Sequence, residues 1–226
     1  MKVSCIIPAY NEEKSITTTL NTIIPLLNDL FEIIVINDCS NDQTQDILNS
    51  YPVQKNLHLI HNTNNLGKSA TVARGIELAK GDYILFLDAD LLHLTKQNII
   101  DLIAPIKNKS RSSIAFIKNS RPLPPFKKID YCNGQRVIPT TLLKQNIKIS
   151  NLLYGLEIFL NHLLIQNKIS LASVHRDNVE NDFHQNKDGL IKGRIKNLKI
   201  WRHILYSAGL FALYKMNFDL QTLLKE

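Results

Sequence analysis

The chain has 226 residues and 44% hydrophobic content, enough for one sizeable globular domain. No stretch approaches the ~20 consecutive apolar residues that cross a bilayer. Lys and Arg number 27 against 20 acidic residues, a net charge of +7; a solvated basic surface accounts for most of this excess, and a phosphate-rich ligand, an anionic membrane face or nucleic acid suits the rest. Cys5, Cys39 and Cys132 are widely spaced without a CxxC pair, which signals neither a disulfide framework nor a zinc knuckle.

In chain order, VSCIIPA (3–9), EIIVIN (32–37), NLHLIH (56–61) and DYILFL (82–87) are apolar runs separated by helical patterns. That βαβ rhythm predicts an α/β fold whose sheet is parallel and covered on both faces, with ligands at the strands' carboxyl ends. Each run ends there in polar residues: Asn11-Glu12, Asn37-Asp38, Asn62 to Lys68, and Asp88-Ala89-Asp90. Pro25 is expected to end or kink the first helix. NSRPLPPFKKIDYCNGQR (119–136), with three prolines, reads as a long loop. NLLYGLEIFLNHLLIQ (151–166) predicts a helix, ISLASVH (169–175) a strand and 176–189 a second loop. From about Leu190 to Phe218 the pattern is helical again. Its Trp201, Ile204, Leu205, Ala208, Phe211 and Ala212, beside Lys196, Lys199 and Arg202, suit packing on the domain, a second subunit or a membrane surface.

Asp88 and Asp90 leave the fourth strand together. Were they extended, i and i+2 would project to one side and could face one divalent cation, Mn2+ or Mg2+; a turn or helix cap built on Asp is the competing reading. Gly67-Lys68-Ser69 precedes a helix, a place where backbone amides and a lysine meet phosphate. Followed by ILFLD (84–88), it imitates a P-loop, but the Gly required five residues before Gly67 is Asn62. Glu157 shares a helical stripe with Leu153, Leu160 and Leu164, so its carboxylate needs a cation or hydroxyls, either in a site or in a structural ion pair. His175 ends an apolar strand, as a ligand or as a satisfied core histidine.

VSCIIPAYNEE (3–13), EIIVINDCSND (32–42) and NNLGKSATVARGIELAKGDYILFLDAD (64–90) resemble the family 2 glycosyltransferases of the GT-A fold. The resemblance implies a nucleotide-diphospho-sugar site, most readily for a UDP-sugar. Pro8, Ala9, Tyr10 and Glu12 would line the base and ribose, Asp38 would hold the base, and Lys68 would approach the nucleotide. Asp88-Ala89-Asp90 would be the family's DxD motif, Asp88 nearer the ribose and Asp90 on the metal. The family's Asp-Asp-Gly-Ser departs here to Asn37-Asp38-Cys39-Ser40.

NGQRVIPTTLL (133–143), LYGLEIFLNHLL (153–164) and ISLASVH are similar to the acceptor region of glucosyl-3-phosphoglycerate synthases and polyprenyl-phosphate sugar transferases. This implies His175 as a further metal ligand, with His184 a weaker substitute, Gly134 and Arg136 at the acceptor, Arg136 as an anion contact, and Glu157, with Asp90, in catalysis. The expected organisation is a nucleotide-sugar-binding half at 1–118, an acceptor-binding half of the same domain at 119–189 and a helical tail at 190–226. The expected activity is metal-dependent transfer of a hexose to an unidentified acceptor, with a phosphorylated or lipid-linked one as a candidate, in the assembly of a cell-envelope polysaccharide. A non-catalytic nucleotide-sugar or nucleic-acid binding module is the alternative, although the basic segments 107–128 and 187–202 lack the interleaved aromatics of single-strand binders. Because Met1-Lys2 runs directly into a strand rather than a cleavable leader, a cytoplasmic protein is expected, peripheral at the membrane if the tail helix touches lipid.

Overall fold

The computed structural model describes residues 1–108, 110–118, 130–146, 155–181 and 210–224. Strands β1 (Val3–Ala9), β2 (Glu32–Asn37), β3 (Leu57–His61) and β4 (Tyr83–Phe86) alternate with helices α1 (Ile16–Ile23), α2 (Thr44–Asn49) and α3 (Lys68–Leu78). After them come β5 (Leu91–Leu92), α4 (Lys96–Lys107), β6 (Ser112–Ile117), β7 (Arg136–Pro139), α5 (Thr140–Lys144), α6 (Leu156–Gln166), β8 (Leu171–Arg176), β9 (Glu180–Asn181) and α7 (Leu210–Thr222). Seven strands form one sheet in the order β3-β2-β1-β4-β7-β6-β8.

Alternation along β1 explains why its sequence is apolar throughout. Val3, Cys5, Ile7 and Ala9 enter one core with Ile16, Leu20, Leu85 and Leu102, while Ile6 enters the other with Val72, Ile76, Leu160 and Leu164. A strand sandwiched between two helical layers has no solvent face to mark with polar residues. Helix α1 ends where expected: Pro25 falls in a short 3-10 turn, Ile24–Leu26, because it cannot donate to the preceding turn.

The parallel expectation holds for β3, β2, β1 and β4 and for the β6–β8 pair. It fails at β7, which runs antiparallel between β4 and β6. The sheet is therefore mixed. Strand β7 lies partly inside the segment read as a loop, and β6 begins with Ser112-Ser113, whose hydroxyls donate to the carbonyls of Ser170 and Leu102. Those partners lie 58 and 11 residues away on other elements, so the serines disguise a buried strand.

β1 and β4 are neighbours, with β2 and β3 stacked on one side and β7 on the other. The strand order reverses at this point, and the loops after the two strands splay apart above it into a crevice. β5 pairs with β9 beside that crevice.

Helix α7 packs on α6, with Met216 and Leu220 buried in the second core and the amide of Leu171 donating to the Leu223 carbonyl. This part of the tail packs on the domain. Residues 119–129 of the predicted loop, His184, and the apolar set from Trp201 to Ala208 lie outside the described residues. Among the described residues no helix is long and apolar enough to cross a membrane.

Candidate active site

The floor of the crevice is built from chain segments distant in sequence. Pro8 lies near the end of β1, Phe86 to Asp88 leave β4, Lys68 opens α3, Gly134 precedes β7, and Leu156-Glu157 begin α6; all line one small cleft. At its centre the Lys68 Nζ lies 3.0 Å from Asp88 Oδ1 and 3.0 Å from Glu157 Oε1. The cation that the helical stripe demanded for Glu157 is thus Lys68, 89 residues away.

The electrostatics follow from that geometry. Burial opposes charge on Lys68, but the carboxylates of Asp88 and Glu157 outweigh it and hold the ammonium above its ordinary pKa. Burial also opposes charge on Glu157, and Lys68 first, then its own backbone amide and Arg136, hold its pKa below the usual carboxylate range. Glu157 further gains from its place in the first turn of α6, where the helix dipole favours an anion.

Lys68 is aimed by the segment before it. Gly67 takes φ +83°, a left-handed backbone that costs glycine little. Asp38, almost fully buried, accepts from Asn62 Nδ2 (2.7 Å), the Leu66 amide (2.9 Å) and the Gly67 amide (2.8 Å). Asp38, expected to hold a base, and the amides before Lys68, expected to meet phosphate, are bound to one another here and fix the start of α3. Asn37, the first departure from the family motif, accepts from the Ser40 amide at 3.1 Å and meets His61 Nδ1 at 3.2 Å. Cys39, the second, sits at φ +59°, a conformation that costs a residue with a Cβ roughly 1–2 kcal/mol and glycine almost nothing.

The loop after β1 is laced to the loop after β2. The Asn11 amide donates to Ser40 Oγ, the Glu12 amide to Thr44 Oγ1 and the Glu13 amide to Asp42 Oδ2. The Glu12 carboxylate accepts from Ser15 Oγ at 2.6 Å. Tyr10 is exposed at 42%, and its ring is free to lie against a planar ligand.

Asp88 and Asp90 do not leave the sheet extended: Ala89 and Asp90 form a turn, and Thr19 Oγ1 donates to the carbonyl of the buried Ala89 at 3.0 Å. The same-side argument for the two carboxylates therefore gives way to the turn. His175 is exposed on the edge strand β8, three strands from β4, and its ring lies against Phe116 with centroids 4.8 Å apart. Among the described residues no three His, Cys, Asp or Glu side chains gather as a metal site. The acidic pair still suits a hard cation, because Mg2+ and Mn2+ are commonly held by one or two carboxylates plus substrate phosphates and water. Asp90, with Asp88 beside it, could supply such carboxylates, whereas His175 is not gathered with them.

Arg136 also departs from expectation. As an acceptor contact it should reach the crevice, yet it is fully buried, and its donors go to the Asn133 carbonyl, Asn161 Oδ1 and the Glu157 carbonyl. Asn161 was not anticipated. Its signal was present: a polar residue one helical turn beyond Glu157, beside the apolar stripe of Leu160 and Leu164.

A larger cavity of about 420 Å3 opens near the amino ends of β2 and β3, lined by Glu32, Tyr51, Val53, His58, Leu78 and Lys80 among others. Its buried carboxylate, Glu32, is already met by Ser4 Oγ, the Lys80 amide and His58. The reactive groups are at the other edge of the sheet.

The family model described as glycosyl transferase family 2 matches residues 4–153, more than half of the chain. The chain belongs to glycosyl transferase family 2. Within this family it is 40% identical over 119 residues to a dolichol-phosphate mannosyltransferase of Pyrococcus furiosus, covering 50% of this chain and 32% of that protein. It is 37% identical over 123 residues to the poly(ribitol-phosphate) beta-N-acetylglucosaminyltransferase TarS of Staphylococcus aureus, covering 52% and 21%. The chain spans about a third or less of the length of these relatives. The solved structure of glucosyl-3-phosphoglycerate synthase from Mycobacterium tuberculosis, in complex with Mn2+, uridine diphosphate and glucosyl-3-phosphoglycerate, superposes with a TM-score of 0.64 at 18% identity, over 85% of this chain and 79% of that one. That likeness establishes the GT-A fold.

In this family 2 domain Gly134 is a sensitive point. A Cβ there would meet Asp88 Oδ2 at 2.9 Å, Asp88 Oδ1 at 3.0 Å and Lys68 Nζ at 3.2 Å. Gly134→Ala is expected to part Lys68 from Asp88 while the fold persists. Isothermal titration with UDP and manganese should register an affinity loss of about tenfold, the size of one charge-assisted hydrogen bond; unchanged affinity would mean that the loop yields and the ion pair survives.

Proposed function

We propose that this protein is a glycosyltransferase that moves a hexose from a nucleotide-diphosphate sugar, most readily a UDP-sugar, to a phosphorylated or lipid-linked acceptor with help from a divalent metal. One observation carries the reading: Lys68 is clasped between Asp88 and Glu157 at the switch point of the sheet. Breaking the bond between sugar and diphosphate builds negative charge on the leaving group, and a preorganised ammonium beside it lowers the barrier. Lys68 fills that role. Pro8, Tyr10 and the buried turn at Ala89 shape the nucleoside side of the crevice, with Glu12 shaping its rim. Asp38 acts through the loop it anchors.

Glu157 projects toward the same point from the acceptor side. Held ionised by Lys68, it is placed to accept hydrogen bonds from sugar hydroxyls, or a proton from an acceptor hydroxyl. Asp90, with Asp88 beside it, would hold the cation. When bound, Mn2+ or Mg2+ supplies Lewis-acid stabilisation of the departing diphosphate. Relatives named for dolichol phosphate and poly(ribitol phosphate) support an acceptor that carries phosphate, as does the net charge of +7.

The test is a panel of nucleotide sugars with manganese, read by release of nucleotide and by thermal shift. UDP with manganese is expected to raise the melting temperature more than GDP, CDP or ATP, because a ligand stabilises only the state that it binds. A larger shift with ATP would overturn the donor assignment. Binding of UDP-sugars without hydrolysis or transfer, across acceptors with and without phosphate, would leave a non-catalytic binding module.

A further inference from the structure

Arg136 is surrounded by acceptors that belong to the protein itself. In register it lies between Phe86 of β4 and Ile114 of β6, two residues short of Asp88. Its Nε and Nη2 both donate to the Asn133 carbonyl, and its Nη1 donates to Asn161 Oδ1 at 2.8 Å and to the Glu157 carbonyl at 3.4 Å. Asn161, also fully buried, returns its Nδ2 to the Tyr131 carbonyl at 2.8 Å. The Gln135 amide donates to Asn133 Oδ1 at 2.8 Å. These bonds close a ring joining the 131–135 turn, which carries Gly134, to the first two turns of α6, which carry Glu157.

We propose that Arg136 is a positioning residue, whose buried guanidinium clamps the Gly134 turn to the start of α6 and so fixes Glu157 against Lys68. Three features support this assignment over a contact with acceptor. The guanidinium has no exposed surface, so an acceptor cannot reach it in this conformation. Its donors converge on oxygens from both flanking segments, which a planar fork can join and a lysine cannot. Its charge lies close enough to Glu157 to be felt there, so it favours the ionised carboxylate that Lys68 holds. One buried cation thereby serves geometry and charge together.

The inference rests on the glycosyltransferase reading for its kinetic arm and on the fold alone for its second arm. The full chain is made as Arg136→Lys, as Glu157→Gln and as the double variant. Arg136→Lys keeps the charge and loses the fork. It is expected to lower kcat by about tenfold or more, the coupling typical of groups in one hydrogen-bond network, while the UDP affinity measured by calorimetry stays within about threefold. The double variant is expected to be no slower than Glu157→Gln, because Arg136 acts through Glu157. By hydrogen exchange, the amides after Glu157 in α6 are expected to exchange about tenfold faster in Arg136→Lys, with β1 unchanged.

Independent, multiplying losses in the double variant would overturn the proposal. So would a raised KM for acceptor at unchanged kcat, which marks a substrate contact, or α6 exchange equal to the wild type. If the wild type releases nucleotide from no donor, the functional reading fails, and the exchange experiment alone decides the clamp. Should Arg136→Lys not fold, Asn161→Leu removes both the acceptor for Nη1 and the donor to Tyr131. Faster α6 exchange in that variant supports the clamp, and unchanged exchange overturns it.

Discussion

Lys68→Met is expected to reduce turnover by about 10²–10³-fold, the range seen when a single preorganised stabiliser of developing charge is removed. Methionine keeps much of the length of the side chain and removes only its positive end. Asp88 and Glu157 then lose the cation that holds each of them at 3.0 Å, and two carboxylates face one crevice without it. The consequence for Glu157 is the loss of its principal counterion. In the wild type its pKa is below the ordinary 4.5 although burial works the other way, and Lys68 is the largest cause of that lowering. A group with a depressed folded pKa contributes stability above its unfolded value and loses it as pH falls through the folded value. Without Lys68 only the backbone amide and Arg136 still oppose burial, so the folded pKa rises and the stability carried by the ionised carboxylate shrinks. The melting temperature of Lys68→Met should therefore lie furthest below the wild type near neutral pH and approach it as the pH falls below 4.5. A gap that is constant with pH, or that widens in acid, would show that Lys68 is not the counterion that matters to Glu157.

Much of this arrangement could be read from the sequence, for reasons that differ by element. The bounds expected for β1 and β2 are those observed, Val3–Ala9 and Glu32–Asn37, because strands covered on both faces read as unbroken apolar runs. β6 and β7 could not be read in this way. Ser112 and Ser113 look like surface residues until Ser170 and Leu102 supply their acceptors, and β7 has only four residues, following a segment rich in turn formers. The positions of Lys68, Asp88 and Glu157 in the chain were legible as motifs, whereas their meeting was not. It depends on β4 and β7 being neighbours, and an antiparallel insertion leaves no periodic trace. Arg136 shows the limit most clearly: an arginine near an acceptor motif suggests a ligand contact, and only burial reveals that its donors are already taken.

The two aspartates after β4 should fail in different ways, since Asp88 already has an internal cation in Lys68 and Asp90 is the carboxylate assigned to the metal. Asp90→Ala is expected to abolish transfer and to erase the effect of manganese on UDP binding while the fold survives. The Ala89–Asp90 turn keeps its anchor at the Ala89 carbonyl, which Thr19 holds at 3.0 Å, so the loss should be electrostatic rather than structural. Asp88→Ala should act by another route. It frees Lys68 from one of its two partners, leaves Glu157 as the other, and removes the carboxylate expected to accept from the ribose, a charge-assisted hydrogen bond of about 1.5–3 kcal/mol. Donor binding weakens accordingly, and the requirement for manganese persists in what remains. Calorimetric titration of UDP into each variant, with and without manganese, separates the two. If Asp90→Ala binds UDP with an undiminished manganese effect, Asp90 is not the ligand. If instead both variants lose the manganese effect alike, the metal is shared between the two carboxylates, and Lys68 must give up Asp88 whenever the cation binds.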